Sequence, residues 1–428
     1  MSKTFLYALL KFLSKKIIRK YRPDVIGVTG SVGKTSAKEA IAVVLKTKFN
    51  VRENYKNYNN EVGVPLTIIG IEKTPGHSVF GWGQVFYQAL KLLFIKDLQY
   101  PEILVLEMGA DKPGDIPYLI DIAPCKVGVL TYISHAHTEY FKTIKKIAQE
   151  KRVIITQLPS DGFAVINCDN DLVMQNISST KAEIIKYGFS ENADFRATDV
   201  NVVNDETNNW PIGLNFKINY KGNTVPVMLN GAIAEHSISA SLSAFAVGNI
   251  FGVNLVEAAN ALRTLNPMPG HMRVIAGVKN TLLIDDTYNS SPEAVKSALQ
   301  TLSKIKPKEN SKSIAVLGDM LELGTETLNA HREIGFKVAE LGIDYLITVG
   351  EASKNTAMAA REAGMDDNQI TPFADSVSAG KFLQEKLRQG DIVLIKGSRG
   401  LKMEKIVKEV MNDPLDAPKL LVGQEIQS

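Results

Sequence analysis

The sequence predicts an α/β protein with a central, mostly parallel sheet domain of the P-loop ATPase type and a C-terminal Rossmann-like α/β domain. Short β-branched runs alternate with helical segments along most of the chain, and a glycine-rich turn follows the first run. The segment Pro267-Met268-Pro269-Gly270 then separates two series of such units. We therefore expect an N-terminal helix over residues 1–23, a central domain over 24–266 and a C-terminal domain over 267–428.

Length and composition set limits on the class of protein. The chain has 428 residues, of which 45% are hydrophobic and 22% charged, so two or three globular domains are expected. Its net charge of +3 is too small and too dispersed to indicate nucleic-acid binding. Two cysteines, Cys125 and Cys168, make neither a disulfide framework nor a zinc site. We expect a monomeric cytoplasmic protein.

The first 22 residues mix apolar and basic side chains, a pattern typical of a basic amphipathic helix. Lys11 interrupts the apolar part and no small-residue cleavage site follows, which argues against a signal peptide or a membrane span. The helix could dock on the protein itself or lie on an anionic membrane surface, at the inner face of the membrane. The aromatic-rich stretch 79–95 could extend that surface, but a buried helix under a loop is the expected arrangement.

The glycine-rich turn runs from Thr29 to Ser36 and lies between an apolar run and a helix-forming segment. Its glycines let backbone N–H groups approach a polyphosphate, Lys34 can reach the β- and γ-phosphates, and the Thr35 hydroxyl can ligate Mg²⁺. The longer form of this motif has glycine at the position of Val28, whereas the shorter T-G-x-x-G-K-T core is intact. The turn predicts ATP or GTP chemistry, with a turn that binds no ligand as the alternative.

The remaining strands follow from short apolar runs and from period-two alternation. In the central domain a hairpin, inserted in the sheet or appended to it, is expected around the turn Lys221-Gly222-Asn223. The tail after Asp413 is expected to be loose. The other predicted strands are 103–106, 127–130 and 164–166 in the central domain, and 282–284, 314–317, 345–349 and 392–395 in the C-terminal domain.

Two groups of polar residues follow predicted inner strands. Glu107 ends one strand and could be a magnesium ligand or a solvated strand end. His135, His137 and Glu139 follow the strand that ends at Leu130, so they should reach the same edge of the sheet. Metal binding, substrate binding and loop hydrogen bonding would each explain these side chains.

Together these segments resemble the Mur ligase family, over about residues 24 to 410. The resemblance begins with four segments: Thr29 to Thr35, Asn57-Tyr58-Asn59-Asn60-Glu61-Val62-Gly63-Val64-Pro65, Glu107-Met108-Gly109-Ala110 with Pro113-Gly114-Asp115-Ile116, and Ala136-His137. It continues with Asp285-Asp286-Thr287-Tyr288-Asn289, with Leu317 to Gly324 and His331, and with Lys396-Gly397-Ser398-Arg399-Gly400. The last two segments favour the branch that adds D-alanyl-D-alanine to a muramyl peptide.

The resemblance implies a two-step reaction that uses ATP and Mg²⁺. A peptide carboxylate attacks the γ-phosphorus to give an acyl phosphate, and an amine then displaces phosphate. It implies catalytic roles for Lys34, Glu107, His137 and Lys151. Thr35 and Glu107 would hold one Mg²⁺, and His137 would help to hold a second. Lys151 matches a lysine that family members carry as a carbamate able to ligate that second ion; without the resemblance it would be an exposed helix lysine.

The resemblance also implies binding residues, although solvated loops and asparagine-rich turns that bind no ligand are open alternatives. Asn57, Asn59 and Asn60 would lie near the muramyl peptide, and Asp319 and Glu322 near the dipeptide amine. Lys396, Ser398 and Arg399 match a substrate-facing loop. The nucleotide-binding set is Thr29, Gly30, Ser31, Val32, Gly33, Lys34, Thr35, Ser36, His236, His271, Asp286 and Asn289.

Three departures from the family pattern bear on the substrate. About two dozen residues precede the phosphate loop, so we expect no separate N-terminal domain for the UDP end, and a lipid-linked substrate becomes conceivable. Ala240 replaces an asparagine near the adenine. His271 replaces an arginine at the domain junction, where Arg273 is a candidate substitute. Two other interpretations are a ligase of the same superfamily acting on a folyl or polyamino-acid carboxylate, and a nucleotide-binding scaffold that has lost turnover.

Overall fold

The computed structural model describes residues 3–55, 58–134, 138–177, 180–207, 210–305 and 310–423, with the backbone alone at 138 and 139. Within these residues the strands form two sheets, of nine and six strands. The first contains β1 (Asp24–Thr29), β2 (Val51–Glu53), β3 (Ile103–Glu107), β4 (Val127–Leu130), β5 (Phe163–Asn167), β6 (Glu183–Gly188), β7 (Phe195–Asn204), β8 (Pro211–Tyr220) and β9 (Asn223–Asn230). The second contains β10 (Arg273–Gly277), β11 (Thr281–Asp286), β12 (Ser313–Gly318), β13 (Tyr345–Val349), β14 (Ile370–Phe373) and β15 (Ile392–Lys396).

Helices cover both faces of each sheet. With the first sheet are α1 (Lys3–Tyr21), α2 (Lys34–Leu45), α3 (Gly63–Ile69), α4 (Val79–Phe94), α5 (Asp115–Ile122), α6 (Thr138–Phe141), α7 (Ile144–Lys151), α8 (Val153–Thr156), α9 (Asp171–Met174), α10 (Glu235–Ile250) and α11 (Leu255–Leu262). With the second are α12 (Pro292–Lys304), α13 (Thr327–Glu340), α14 (Lys354–Glu362), α15 (Ser376–Lys386), α16 (Glu404–Val410) and α17 (Ala417–Leu420). The α/β fold class with two sheets is thus confirmed.

The first sheet has a topological switch point at β1. Its strand order is β2-β3-β1-β4-β5-β6-β7-β8-β9, with parallel pairing from β2 to β7. Because β3 and β4 lie on opposite sides of β1, the chain crosses over in both directions from this strand, and a crevice forms at its carboxyl end. Val28 pairs with Glu107, and Thr29 pairs with Leu130. The glycine-rich turn, Glu107 and the segment after Leu130 therefore meet at one edge.

The hairpin is appended to the far edge of this sheet. β8 pairs antiparallel with β7 and β9, and its alternate residues Leu214, Phe216 and Ile218 are buried. These side chains belong to the core beneath α2, α10 and α11. The hairpin prediction is confirmed, whereas β7, which carries the hairpin onto the parallel strands, was not predicted.

Helix α1 docks on the protein. Leu10, Leu13 and Ile17 are buried in the core that α3, α4 and α5 share. On one flank, Lys11 and Lys15 each lie 2.7 Å from a carboxylate oxygen of Asp121. At the other end, Lys20 Nζ donates to the carbonyls that end α4. The helix therefore docks on the protein through one face, and its opposite face is exposed; contact of that exposed face with a membrane stays a prediction.

Helix α4 is not the buried helix that the sequence predicts. Val85, Ala89 and Leu92 face the core, but Phe80 and Phe94 are 78% and 83% exposed. The prediction was wrong because the apolar residues surround the helix, whereas packing covers only one of its sides. No helix within the described residues has the length and hydropathy that crossing a bilayer requires.

The second sheet has the order β10-β11-β15-β12-β13-β14. Its strands are parallel except β10, which pairs antiparallel with β11 at the edge. The four predicted strands are present, and the edge strands β10 and β14 were missed. Residues 414–423 of the tail are not loose, because α17 forms there and Ala417 and Leu421 are buried, and residues 424–428 lie outside the described part of the chain. The proposed boundary at residues 266 and 267 falls between α11 and β10 and stays a prediction.

Candidate functional site

The glycine-rich turn between β1 and α2 is shaped by two glycines. Gly33 has φ of 81°, in the left-handed region that favours glycine. A Cβ at Gly30 would collide with the Thr131 hydroxyl. That hydroxyl donates to Val32 O at 2.7 Å, which ties the turn to the segment after β4. The turn therefore presents the N-terminus of a 12-residue helix at the switch point, the arrangement that binds phosphate.

The turn is anchored and carries a lysine ammonium group at its mouth. The amide of Ser31 donates to Tyr132 O at 2.6 Å, and the Thr29 hydroxyl donates to Met108 O at 2.7 Å. Lys34 Nζ donates to Gly30 O at 2.9 Å. Within the described part of the chain Lys34 forms no ion pair, so its charge is offset only by backbone carbonyls.

Thr35 and Glu107 meet across the crevice. The Thr35 hydroxyl donates to Glu107 Oε2 at 2.8 Å, and Asn59 Nδ2 donates to Oε1 at 2.8 Å. Glu107 is 2% exposed, and these two neutral donors hold its buried carboxylate in place. A hydroxyl and a carboxylate beside a phosphate loop are oxygen ligands of the kind that Mg²⁺ uses. Among the described side chains, no three His, Cys, Asp or Glu residues gather into a metal cluster.

Asn54 and Lys38 position Glu107 and were missed from the sequence. The buried Asn54 side chain accepts the Glu107 N–H at 2.5 Å and donates to Tyr58 O at 2.6 Å. Lys38 Nζ, which is fully buried, donates to Asn54 O at 2.7 Å. Asn54 directly follows the short edge strand β2, which the apolar pattern does not indicate. A buried lysine inside an apolar helix was the one available signal.

Lys151 is buried at the end of α7, and not exposed as the helix pattern alone predicts. It is 2% exposed. Burial, together with the nearby Lys34 ammonium, lowers the pKa of Lys151 to about 7. The carboxylates of Glu150, Asp111 and Glu107 act on that pKa in the opposite direction. The structure therefore brings Lys34, Glu107 and Lys151 into one electrostatic environment.

Several predicted residues cannot be placed in this way. Asn57, His135 and His137 lie outside the described residues, and Glu139 is described by its backbone alone, within α6. Asn59 binds Glu107, as above. Asn60 Oδ1 accepts the amides of Val62 and Gly63, which caps the start of α3.

A cleft of about 470 Å³, open to solvent, runs from α2 to the segment before β10. His271 stacks on Tyr288 with ring centroids 4.6 Å apart. Burial lowers the pKa of both His236 and His271. Arg273 does not line the cleft, since its guanidinium is directed to Lys419 O. The lining residues are Ser36, Glu39, Leu229, Ala232, His236, Ser237, Ala240, Ser241, Leu265, Asn266, Pro267, Met268 and His271.

The second sheet brings a buried ion pair to this cleft. Lys396 Nζ lies 2.6 Å from Asp286 Oδ2 and donates to Asn289 O at 2.9 Å. Both residues of the pair lie at strand ends, since β11 and β15 are parallel neighbours. The Asp286 carboxylate acts in the opposite direction to burial on the pKa of His236 and His271, so the ion pair lies near both imidazoles. Glu107 also opposes the lowering of the His271 pKa. The half of the site around the glycine-rich turn and the half at the second sheet therefore lie close enough to interact electrostatically.

The neighbouring Asp285 is fully buried and fastens the junction. It accepts the Gly270 N–H at 2.9 Å and the Thr287 hydroxyl at 2.6 Å. Burial raises the pKa of Asp285 to about 6. The Tyr288 N–H in turn donates to Gly270 O at 3.1 Å. Residues 270–272 are thereby attached to the second sheet.

The other predicted substrate residues are placed mainly by loop contacts. The buried Asp319 carboxylate accepts the Ser353 N–H at 2.7 Å, and Ser398 Oγ accepts the Leu321 N–H at 2.9 Å. Arg399 pairs with Glu404 at 2.9 Å. Glu322 is exposed on the same loop. These contacts fix the loop beside the cleft, and the substrate roles stay predictions.

Comparisons with known proteins agree with this architecture. Two family models match: the Mur ligase middle domain over residues 86–248 and the Mur ligase, glutamate ligase domain over residues 254–399. The UDP-N-acetylmuramoyl-tripeptide--D-alanyl-D-alanine ligase of Mycobacterium leprae (strain TN) is 30% identical, over 91% of this chain and 74% of that protein. The ligase of the same name from Bacillus subtilis (strain 168) is 29% identical, over 95% and 80%.

Solved structures give the same result. MurF from Acinetobacter baumannii superposes with a TM-score of 0.78 at 25% identity, over 95% of this chain and 81% of that one. The MurF ligase from Thermotoga maritima in complex with ADP superposes with a TM-score of 0.76 at 27% identity, over 94% and 83%. With the phosphate loop at the switch point and these similarities along most of its length, the chain belongs to the Mur ligase family.

Proposed function

We propose that this chain is an ATP-dependent C–N ligase of peptidoglycan precursor synthesis, which joins D-alanyl-D-alanine to the carboxylate of a muramyl peptide. The observation that carries the proposal is the convergence of Lys34, Thr35, Glu107 and Lys151 at one edge of the first sheet. The similar proteins named above carry the name of this ligation. Asp286 and Lys396 approach the same cleft from the second sheet.

The reaction has two steps, each of which gathers negative charge. A carboxylate oxygen of the muramyl peptide attacks the γ-phosphorus of ATP, the bond to the bridging oxygen breaks, and ADP leaves. The amine of the dipeptide then attacks the acyl carbon, loses a proton and expels phosphate. Lys34 and the amides of the phosphate loop stabilise the charge on the phosphate oxygens. The second sheet limits water at the cleft and aligns the amine with the acyl group.

Thr35 and Glu107 fit a magnesium ion. Their oxygens lie 2.8 Å apart beside the phosphate loop. Asn59 holds the Glu107 carboxylate, and Asn54 accepts the Glu107 backbone N–H. When bound, Mg²⁺ offsets the charge of the β- and γ-phosphate oxygens. The family resemblance adds a second ion, with His137 and a carbamate on Lys151 as ligands.

A carbamate on Lys151 is consistent with the surroundings of this side chain. The neutral amine attacks CO₂, an N–C bond forms, and a proton passes to solvent, so an ammonium site becomes an anion. A pKa of about 7 leaves a large neutral fraction at neutral pH. The resulting anion would lie near the Lys34 ammonium, where a cation currently lowers the pKa of Lys151.

The remaining roles divide between the two ends of the cleft. We assign the nucleotide to Thr29 through Ser36 with His236, His271, Asp286 and Asn289, where Ser36 and both histidines line one cleft. We assign the muramyl peptide to Asn57, Asn59 and Asn60. The dipeptide falls to Asp319 and Glu322, beside the loop of Lys396, Ser398 and Arg399. The enzyme would act in the cytoplasm as a monomer, with domains over 24–266 and 267–428 and with α1 at the inner membrane face.

The test is phosphate release by the purified chain with ATP, Mg²⁺ and UDP-N-acetylmuramoyl-tripeptide, with and without D-alanyl-D-alanine. We expect release that requires the dipeptide, and a product whose mass is that of the joined pentapeptide. Lys354→Ala, an exposed lysine on α14, serves as the matched control for Lys34→Ala. Release that depends on a different amine would favour another ligase of the superfamily, and no release with any pair would favour a scaffold.

A second series settles the form of the acceptor. The same assay compares UDP-linked and lipid-linked muramyl tripeptide at equal concentration. A higher kcat/KM for the UDP-linked form supports the proposal for a soluble precursor. Turnover confined to the lipid-linked form would move the reaction to a membrane-bound substrate.

A further inference from the structure

Helix α4 carries apolar side chains on two opposite sides. Val85, Ala89 and Leu92 pack in the core of the first sheet. Phe80, Tyr87 and Phe94 follow one another at intervals of seven residues and therefore share one face. These three are 78%, 70% and 83% exposed, and Leu90 on the same face is 45% exposed. Four large apolar side chains on an open helix face are an arrangement that soluble surfaces seldom show.

Helix α1 has the same organisation beside it. Phe5 and Phe12, again seven residues apart, are 58% and 56% exposed on the side opposite the buried Leu10 and Ile17. Lys16 and Arg19 continue this outer face toward the end of the helix. Lys16 Nζ lies 5.5 Å from the centre of the Phe12 ring. Aromatic rings next to long basic side chains are typical of helices that lie in a membrane interface.

The two outer faces point to the same side of the molecule. Both helices bury their inner faces in one core, over α3, all of whose residues are buried. Lys20 Nζ and the Tyr21 hydroxyl of α1 donate to Leu92 O, which joins the end of α1 to the end of α4. Since both helices belong to one outer layer on one side of the sheet, their exposed sides form a single surface. We call it the α1–α4 surface: Phe5, Phe12, Lys16, Arg19, Phe80, Tyr87, Leu90, Lys91 and Phe94.

The charge of this region differs from that of the rest of the chain. Residues 3–22 and 73–96 contain ten lysines and arginines and no Asp or Glu. The chain as a whole carries +3, so all other residues together carry −7. Lys11 and Lys15 are paired with Asp121. Among the described residues no carboxylate pairs with Lys16, Arg19 or Lys91, so the positive charge on the surface itself is available to an anionic partner.

We propose that the α1–α4 surface docks the protein on an anionic lipid bilayer, with the aromatic side chains in the headgroup region and the basic side chains on lipid phosphates. The concentration of positive charge around an open apolar face favours lipid, because a bilayer supplies a continuous anionic layer above an apolar one. No described helix can span a membrane, so attachment is peripheral. The inference extends the proposed contact of α1 to a surface that includes α4, and it does not depend on the ligase reaction.

The test is co-sedimentation of the full chain with vesicles of phosphatidylcholine, with or without phosphatidylglycerol. We expect binding to the anionic vesicles, little binding to the neutral ones, and weakening as salt is raised. The triple variant Phe80→Ser, Tyr87→Ser, Phe94→Ser should lower the partition constant by at least about tenfold. The variant Lys16→Gln, Arg19→Gln, Lys91→Gln should lower binding to anionic vesicles and reduce its salt dependence.

Matched control variants distinguish binding through this surface from non-specific hydrophobic or electrostatic binding to vesicles. Val256→Ser, Leu328→Ser, Leu415→Ser removes three apolar side chains that are 57%, 51% and 89% exposed elsewhere. Lys381→Gln, Lys405→Gln, Lys408→Gln removes three exposed lysines from helices α15 and α16. Both controls should bind vesicles as the unaltered chain does, and thermal unfolding should show that every variant is folded.

The outcomes divide clearly. Loss of binding in the α1–α4 variants, with phosphate release from soluble substrates unchanged, supports the inference. Equal loss in the controls, or no binding by the unaltered chain, overturns it. Self-association without vesicles that the Phe80, Tyr87 and Phe94 variant abolishes would also overturn it, because the occupant would then be a second copy. A chain that binds vesicles but ligates nothing would refute the proposed reaction and leave the docking surface standing.

Discussion

The two halves of the site differ in how their charges are balanced. In the first half, around the glycine-rich turn, neither Lys34 nor Lys151 forms an ion pair among the described residues. The carboxylates of Glu150, Asp111 and Glu107 act on Lys151 from a distance, and the Glu107 oxygens accept from the neutral donors Thr35 and Asn59. In the second sheet, Lys396 is paired with Asp286 at 2.6 Å. The two ammonium groups of the first half thus lack a directly paired carboxylate among the described residues, whereas the ammonium group of the second half has one.

This difference predicts which half of the site contributes mainly to ligand binding and which contributes mainly to the stability of the fold. Buried charged groups without a directly paired partner destabilise the fold, so they are typical of a site that a ligand completes. A balanced buried pair costs little while both partners are present and a great deal when one is lost. Substitutions in the first half should therefore change turnover, and those in the second half should change the free energy of unfolding.

Lys34→Ala should give the largest effect on turnover. Removing the cation that we assign to the phosphate oxygens should lower the rate of phosphate release about 10³-fold, or about 4 kcal/mol. The melting temperature should not fall, because the change removes a cation that repels Lys151. Single-turnover phosphate release and thermal unfolding measure the two quantities, with Lys354→Ala as control. A stable but fully active variant would contradict the assignment.

Lys396→Ala should give the largest effect on stability. It leaves Asp286 buried without its partner, which should cost about 4 kcal/mol of unfolding free energy. Arg332→Ala breaks the exposed pair with Glu362 and should cost far less, because solvent screens that pair. Denaturant unfolding compares the two. Equal losses would show that the second half gains no stability from its buried pair and would erase the contrast between the halves.

Asp285 should make stability depend on pH in the acidic range. Its pKa in the folded protein is about 6, above the value of about 3.9 for an unfolded aspartate. Between these values the folded state binds more protons at Asp285, so the contribution of this residue to stability is greatest below pH 4 and falls by about 3 kcal/mol as the pH rises through 6. Denaturant unfolding over this range should show the slope, and Asp285→Asn should flatten it. The exposed Asp161→Asn should leave it unchanged; an identical slope in both variants would contradict the prediction.

Lys151→Ala should give a smaller loss of turnover that can be reversed in part. Without a carbamate the rate should fall about 10²-fold, and formate or acetate should restore some of it by supplying a carboxylate. Lys145→Ala, an exposed lysine on the same helix, is the control. A ¹³C resonance of a carbamate in protein equilibrated with ¹³CO₂ should vanish in the variant. Absence of that resonance from active enzyme would show that Lys151 acts as an amine.

Much of the first half of the site could be predicted, because the sequence patterns that indicate it are local. β1, β3 and β4 are buried apolar runs. A side chain at Gly30 would collide with Thr131, and Gly33 has the positive φ that favours glycine. Position at parallel strand ends then brings Glu107 to the turn.

The rest depends on packing that the order of residues does not reveal. Asn54 positions Glu107 through the three-residue edge strand β2, whose residues are only partly buried and give no clear alternation. Lys151 has the pattern of a surface lysine, and burial by neighbouring elements changes its pKa. In α4 the apolar residues predict burial on every side, but the fold supplies neighbours for one side only.

The attachment of residues 270–272 to the second sheet determines where the molecule can bend. Gly270 is held by Asp285 and by Tyr288, and a Cβ at Gly270 would lie 2.8 Å from the Tyr288 nitrogen. Because Gly270 is held by these contacts, a rotation of one sheet relative to the other would have its hinge before Gly270, in the short connector between α11 and Pro269. His271 would move together with the second sheet, so each such movement would change the distance between its imidazole and Ser36.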